Sequence, residues 1–213
     1  DGRGNSTALA RATLSTDNTA LQNLRVIFSQ KPKVVSGAHF GCRIVEGQKS
    51  GQPDGTLYLT LGDRYSRLDD AQQLDNHIGK IVRINKDGSV PADNPLLKRA
   101  GALPEIWSWG HRNVQGATLA PDGTLWTHEH GPQGGDEINL PQPGRNYGWP
   151  VITHGVNYGG GKIGAGISER AGLEQPLHHW TPSIAPSGMA FLTSDRYGAP
   201  WRGDLFVGSL KFG

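Results

Sequence analysis

The sequence predicts an all-β protein built as a β-propeller, and three observations carry that prediction. Glycine and proline are abundant, at 31 and 14 of 213 residues, and the glycines mostly follow Asp or precede an apolar run, which is turn chemistry. Short β-prone runs alternate with Asp-Gly and Gly-rich turns, the pattern of hairpins. An internal repeat then brings such units into line: strands open near His39, His111 and Pro186. Each is followed by a second run, D-G-T-L-Y-L-T-L-G-D (54–63), D-G-T-L-W-T-H-E-H-G (122–131) and R-G-D-L-F-V-G-S-L-K (202–211). The period of about 70 residues exceeds the ~40–50 of familiar propeller repeats, so the blades must carry long loops. Four-stranded units repeated around an axis form a propeller, and roughly three to four fit this length. A β-sandwich does not predict the long period.

In chain order, residues 7–15 alternate apolar and polar and 24–28 (L-R-V-I-F) form a second run; both read as strands. S-G-A-H-F-G-C-R-I-V (36–45) leads through a loop over 47–55 to T-L-Y-L-T-L-G-D-R (56–64). R-L-D-D-A-Q-Q-L-D-N-H (67–77) is the one stretch that reads as a short helix. It runs into K-I-V-R-I-N-K-D-G-S-V, another strand with an Asp-Gly turn. After the second repeat comes D-E-I-N-L-P-Q-P-G, in the place that K-I-V-R-I-N-K-D-G holds in the first.

Composition excludes several classes. A formal net charge of +2 is not the footprint of an extended nucleic-acid surface. No apolar run approaches the ~20 residues of a membrane span. The single Cys42 excludes an intrachain disulfide framework. The chain opens without an initiator Met or a signal peptide and stops directly after an apolar strand. The expectation is therefore an internal fragment, one partial propeller domain over 1–213 with N- and C-terminal blades missing.

Polar residues concentrate between 109 and 149: His111, Arg112, Asn113, His128, Glu129, His130, Asp136, Glu137 and Asn139. Strand ends carrying such groups are where a β scaffold keeps its chemistry. His128 and His130 share a strand face at i and i+2, but one strand offers only those two, too few for a zinc site. His178-His179 before Trp180 reads as a rim or surface feature. Taken alone, a histidine beside Phe40 is more often structural, and Asp63 after Gly62 reads equally well as a turn residue.

H-F-G-C-R-I, L-Y-L-T-L-G-D-R, W-G-H-R-N-V-Q-G, E-H-G-P-Q-G-G-D-E-I-N, R-N-Y-G-W-P and G-S-L-K occur in this order from about residue 36 onward. Together they resemble the soluble pyrroloquinoline-quinone (PQQ)-dependent aldose sugar dehydrogenases of the glucose/sorbosone dehydrogenase family, which are six-bladed propellers of bacterial periplasms. Each motif alone is weak; six in the family's order are specific.

The resemblance implies a role for each matching residue. His39 matches the general base that takes a proton from the anomeric hydroxyl while hydride leaves the same carbon, a task suited to an imidazole. Asp63 matches the acid that orients it. Arg112 and Asn113 match the pair beside the quinone, where a fixed guanidinium meets developing negative charge. Lys211 matches a lysine that pairs with the cofactor's carboxylates, accompanied by Ser209 and Leu210, and Tyr158 falls where relatives place a ring near the cofactor. Gly131 and Pro132 match carbonyl ligands of a calcium ion on the cofactor, and Glu137 with the Tyr147 carbonyl a second, structural calcium site. The implied partners are a small-molecule aldose and an external electron acceptor, for a periplasmic monomer or homodimer.

Three departures stand against the family pattern. Cys42 replaces a glycine beside the base. The family's glutamine upstream of the base and basic segment after the lysine have no match here. Asn157 stands where one relative has a calcium-binding acid. A non-catalytic extracellular propeller that binds a partner is the rival reading, but it would lack the base, the Arg-Asn pair or the lysine. A calcium-dependent lactonase would need a cage of acidic side chains, unlike the Gly-Pro carbonyl motif.

Overall fold

The computed structural model describes residues 4–211. Their strands form four antiparallel sheets, each made of consecutive strands. The first pairs β1 (Ala8–Leu14) with β2 (Leu21–Ser29). The second is the meander β3 (Ile44–Lys49), β4 (Gln52–Thr60), β5 (Lys80–Asn85) and β6 (Ile106–Trp109). The third runs β7 (Val114–Leu119), β8 (Leu125–Glu129), β9 (Asp136–Asn139) and β10 (His178–Trp180). The fourth pairs β11 (Pro186–Phe191) with β12 (Leu205–Ser209). Strand β7 packs against both β3 and β11, so the first strands of three successive sheets face a common axis. This is propeller architecture, and the ~70-residue repeat is its blade period.

The sequences explain the blades. Strand β5 is buried from Lys80 to Ile84, so its residues face neighbours on both sides and its apolar positions do not simply alternate with polar ones. Leu9 and Phe28 of the first sheet pack with Leu59, Val82 and Ile84 of the second, and with Leu61 just beyond β4, into one apolar cluster. Each such side chain, fully buried, contributes about 1.5–3 kcal/mol. A second cluster of Ala71, Trp149 and Ile163, with Leu68 against it, lies under the cleft described below. The Lys80 ammonium, buried among these elements, donates to the carbonyls of Asp70 (2.9 Å), Ala71 (3.2 Å) and Ile78 (2.5 Å). Burial pushes it down to about 7, with Asp70 and Asp75 acting the other way.

Three local expectations are corrected. Residues 47–55 are mostly strand, because Ser50 (φ 52°) and Gly51 (φ 74°) make a two-residue hairpin turn between the paired Lys49 and Gln52. The stretch 67–77 yields only a 3-10 turn over Leu68–Gln72, which has no side-chain N-cap and stops at an extended Gln73. The segment 36–43 is a loop, since His39 (φ 50°) and Gly41 (φ 83°) both leave the extended region, and the strand begins only at Ile44.

Candidate active site

The site forms where loops meet at the ends of the second and third blades. His39 has a left-handed backbone and lies across the end of β4. Its carbonyl sits so close to Gly62 that a Cβ there would overlap it. Glycine at 62 is therefore what lets the two segments touch. The contact brings His39 Nδ1 to 2.6 Å from Asp63 Oδ1. With Nδ1 donating to the carboxylate, Nε2 is the ring nitrogen left to accept a proton. Asp63 is buried, and both its oxygens are held: the Tyr65 N–H donates to Oδ1 (2.8 Å) and the Trp149 Nε1–H to Oδ2 (2.8 Å). The His39 loop is tied down by Arg64, whose guanidinium lies 3.5 Å over the Phe40 ring and donates to the Ser36 carbonyl at 2.6 Å.

The third blade supplies the cationic wall. Glu129, at the end of β8, accepts from the backbone N–H of Arg112 (2.5 Å) and of Asn113 (3.3 Å) on Oε2. Its Oε1 meets His111 Nδ1 (3.0 Å) and Asn139 Nδ2 (3.2 Å). The Arg112 guanidinium then donates to the carbonyls of His130 (2.9 Å) and Gly131 (2.6 Å) and to the Tyr158 hydroxyl (3.3 Å). Asp136 organises the far side, accepting from the N–H groups of Gly131, Ile184 and Ala185, each at 2.9 Å, and from the Ser183 hydroxyl. The 183–185 loop in turn holds the end of β12: Leu210 N–H donates to Ala185 and Ser209 Oγ to Ile184.

Two adjoining cavities result. One of about 310 Å³ is lined by His39, Asp63, Tyr65, Leu68, Arg112, Trp149, Asn157 and Tyr158. The other, about 640 Å³, has Gly131, Pro132, Gln133, Tyr158, Ser183 and Lys211 among its walls. Tyr158 borders both. The larger space, with a lysine in its wall and the Arg112 guanidinium nearby, suits a planar polyanion, so these residues fit PQQ. Beneath lies a cavity of about 10 Å³ lined in part by Glu129, Gly131, Glu137 and Tyr147. Glu129 and Glu137 are cross-strand neighbours. Desolvation, then the Glu129 charge, pushes the Glu137 carboxyl up to about 8. Two carboxylates crowded at a small cavity lined by a glycine and a tyrosine are a donor set that fits a hard cation such as calcium.

Not every expected residue lines a cavity. His39, Asp63, Arg112, Tyr158, Gly131, Pro132 and Lys211 do, and Glu137 and Tyr147 line the smallest. Asn113 instead turns its amide oxygen to Gln115 Nε2 (2.9 Å) and Gly41 N–H (3.4 Å), bracing the His39 loop. Leu210 is 71% exposed. Cys42 is exposed. His128 and His130 part company: His130 Nε2 donates to the Pro186 carbonyl (2.7 Å), whereas His128 is fully buried over Gly116 with neither ring nitrogen hydrogen-bonded. Among the described residues no group of three His, Cys, Asp or Glu side chains could hold a metal. His178 and His179 lie exposed on β10, with His179 stacked 3.9 Å from His154. Sequence reasoning missed Tyr65, Leu68 and Trp149 as lining residues, and Glu129 and Asp136 as clamps. Trp149 carried a signal as part of R-N-Y-G-W-P, and Glu129 and Asp136 as part of E-H-G-P-Q-G-G-D-E-I-N, whereas Tyr65 and Leu68 lie outside the motifs.

The blade ends of this partial propeller thus present a histidine–aspartate pair and a guanidinium around one cavity. The family model described as Glucose / Sorbosone dehydrogenase matches residues 1–213. The chain is 46% identical over 213 residues to the aldose sugar dehydrogenase YliI of Escherichia coli (strain K12), covering 99% of this chain and 55% of that protein. It superposes on the crystal structure of the soluble aldose sugar dehydrogenase from Escherichia coli, in the apo form, with a TM-score of 0.90 at 44% identity, covering 99% of this chain and 59% of that one. The PQQ-bound aldose sugar dehydrogenase from Streptomyces coelicolor gives a TM-score of 0.73 at 28% identity, over 97% of this chain and 53% of that one. The chain belongs to the glucose/sorbosone dehydrogenase family. It spans about half the length of the curated relatives it matches. No helix among the described residues is long and apolar enough to cross a membrane.

Proposed function

We propose that this chain is the catalytic part of a quinoprotein that oxidises the anomeric hydroxyl of an aldose to the lactone. In this reading it is one partial propeller domain of a periplasmic protein, monomeric or homodimeric, that passes its electrons to an external acceptor. The observation that carries the proposal is the 2.6 Å His39–Asp63 pair facing a cavity that also holds Arg112.

His39 Nε2 takes the hydroxyl proton, and Asp63 holds the ring in the tautomer that leaves Nε2 basic and stabilises the imidazolium that results. Arg112, fixed through three acceptors, sets a positive charge beside both cavities at no reorganisation cost during the reaction. PQQ, when bound, supplies the hydride acceptor. Tyr158, Lys211 and the Gly131–Pro132 turn would hold it in the larger cavity. Carbonyls of that turn would hold one calcium ion, and Glu137 with the Tyr147 carbonyl another; the crowding of Glu129 against Glu137 supports a cation there. Asn113 acts in this reading through the loop of His39 more than by direct contact, and Ser209 and Leu210 by placing Lys211.

The test is a titration of the full-length apoprotein with PQQ and calcium, followed by glucose or another aldose. Binding of the quinone and its reduction on adding sugar, read from absorbance, is the expected result. A folded protein that binds quinone but reduces none with any aldose would overturn the reading.

A further inference from the structure

We infer that Trp149 is a positioning residue that sets the proton-accepting pair and the cationic wall of one cavity at the same time; this rests on the reading of His39, Asp63 and Arg112 given above. The indole edge donates from Nε1 to Asp63 Oδ2 at 2.8 Å, while the ring face lies 5.4 Å from the Arg112 guanidinium carbon, within cation–π range. Three donors surround the two Asp63 oxygens: His39 Nδ1, the Tyr65 N–H and Trp149. With all three in place the carboxylate cannot turn without breaking one of these bonds.

Removing the indole N–H would leave Oδ2 buried without a donor, a costly state that the carboxylate escapes by rotating. Rotation draws Oδ1 away from His39, so Nε2 loses its fixed direction into the cavity. Trp149 itself is immobilised. Its backbone N–H donates to the Gly110 carbonyl (2.9 Å), its carbonyl accepts from Gln72 Nε2 (2.6 Å), and its ring packs with Ala71, Ile163 and Leu68. The charged and titratable groups facing His39 are Asp63, Tyr65 and, across the cavity, Arg112, with Arg64 behind Phe40. None of these replaces the lost donor.

The experiment uses the full-length protein with Trp149→Phe and, separately, with the Trp149 indole replaced by benzothiophene, which keeps the ring shape and exchanges N–H for sulfur. The low-field imidazole proton of the His39–Asp63 pair is followed by NMR in the apoprotein, and kcat and KM are measured after loading with PQQ and calcium. The expected result is an altered or exchange-broadened resonance and a kcat lowered about ten- to hundredfold with KM nearly unchanged. An unaltered resonance, with kcat within about twofold of the parent in the benzothiophene protein, would overturn the inference. Should Trp149→Phe fail to fold, the benzothiophene protein decides alone. Should the parent oxidise no aldose, the enzymatic reading fails, and the resonance still decides what Trp149 holds.

Discussion

The ends of the second and third blades are built from the same repeat and do opposite things. In D-G-T-L-Y-L-T-L-G-D the final acid, Asp63, meets a side chain, His39, that lines the smaller of the two adjoining cavities. In D-G-T-L-W-T-H-E-H-G the acid comes two residues earlier, at Glu129, in the place of Leu61. It holds two backbone N–H groups, His111 and Asn139, so that Arg112 is fixed. The shift of two residues moves the acid from the loop beyond β4 to the last residue of strand β8. The first carboxylate thus holds a cavity-lining histidine and the second holds a scaffold.

The sharpest way to break this comparison is Asp63→Asn. The amide keeps the shape but favours the wrong imidazole tautomer, so turnover should fall about a thousandfold or more with quinone binding retained. Steady-state kinetics beside a PQQ titration decides it, and near-normal turnover would remove Asp63 from the mechanism.

Glu129→Gln should act differently, through stability first. One of its acceptor oxygens becomes a donor facing other donors, which should cost about 2–3 kcal/mol in urea unfolding. Turnover should drop as Arg112 loosens. A loss of turnover without a loss of stability would mean that Glu129 works in the chemistry, as Asp63 does.

The smallest effect concerns one aligned position of the two repeats, Thr60 in the first and His128 in the second. Thr60 of the second blade is satisfied: its hydroxyl donates to the Val114 carbonyl and accepts the Arg43 N–H. Its counterpart His128 is buried over Gly116 without hydrogen bonds, and desolvation, then His130, lowers it to about 4 from 6.5. A histidine whose folded value is lowered binds fewer protons folded than unfolded between those two pH values. The contribution of this group to stability is therefore fully present above about pH 6.5 and is lost as pH drops towards 4. Between pH 7 and 5 the loss from this group is about 2 kcal/mol. Urea melts at the two pH values should show a smaller difference for His128→Asn than for the parent.

Parts of this site were legible in the sequence because they are local. The Asp-Gly turns, the repeat and the strand runs depend on neighbours within a few residues, and they appear as β4, β5, β8 and β12. The corrections fall where one residue's backbone overrides a pattern. Ser50 and Gly51 make a tight turn inside what composition reads as a loop, and His39 and Gly41 interrupt what reads as a strand. The motif residues His39, Asp63, Arg112 and Lys211 could be picked out through a family resemblance, whereas Asn113 could not be told from a cavity residue, because a dipeptide does not show which way an amide turns.

What the sequence determined by itself is the blade grammar: turn, strand and period, together with the kinds of side chain placed at strand ends. What only the tertiary structure decided is which of those groups meet. Asp63 is held by His39 from 24 residues away and by Trp149 from 86 residues away, and nothing in local spacing encodes either distance. The close approach of His39 to Gly62 and of His128 to Gly116 depends on missing Cβ atoms, which show their purpose only when the facing segment is in place. The physical reason is that propensity and periodicity act along the chain, while hydrogen bonding and burial act through space.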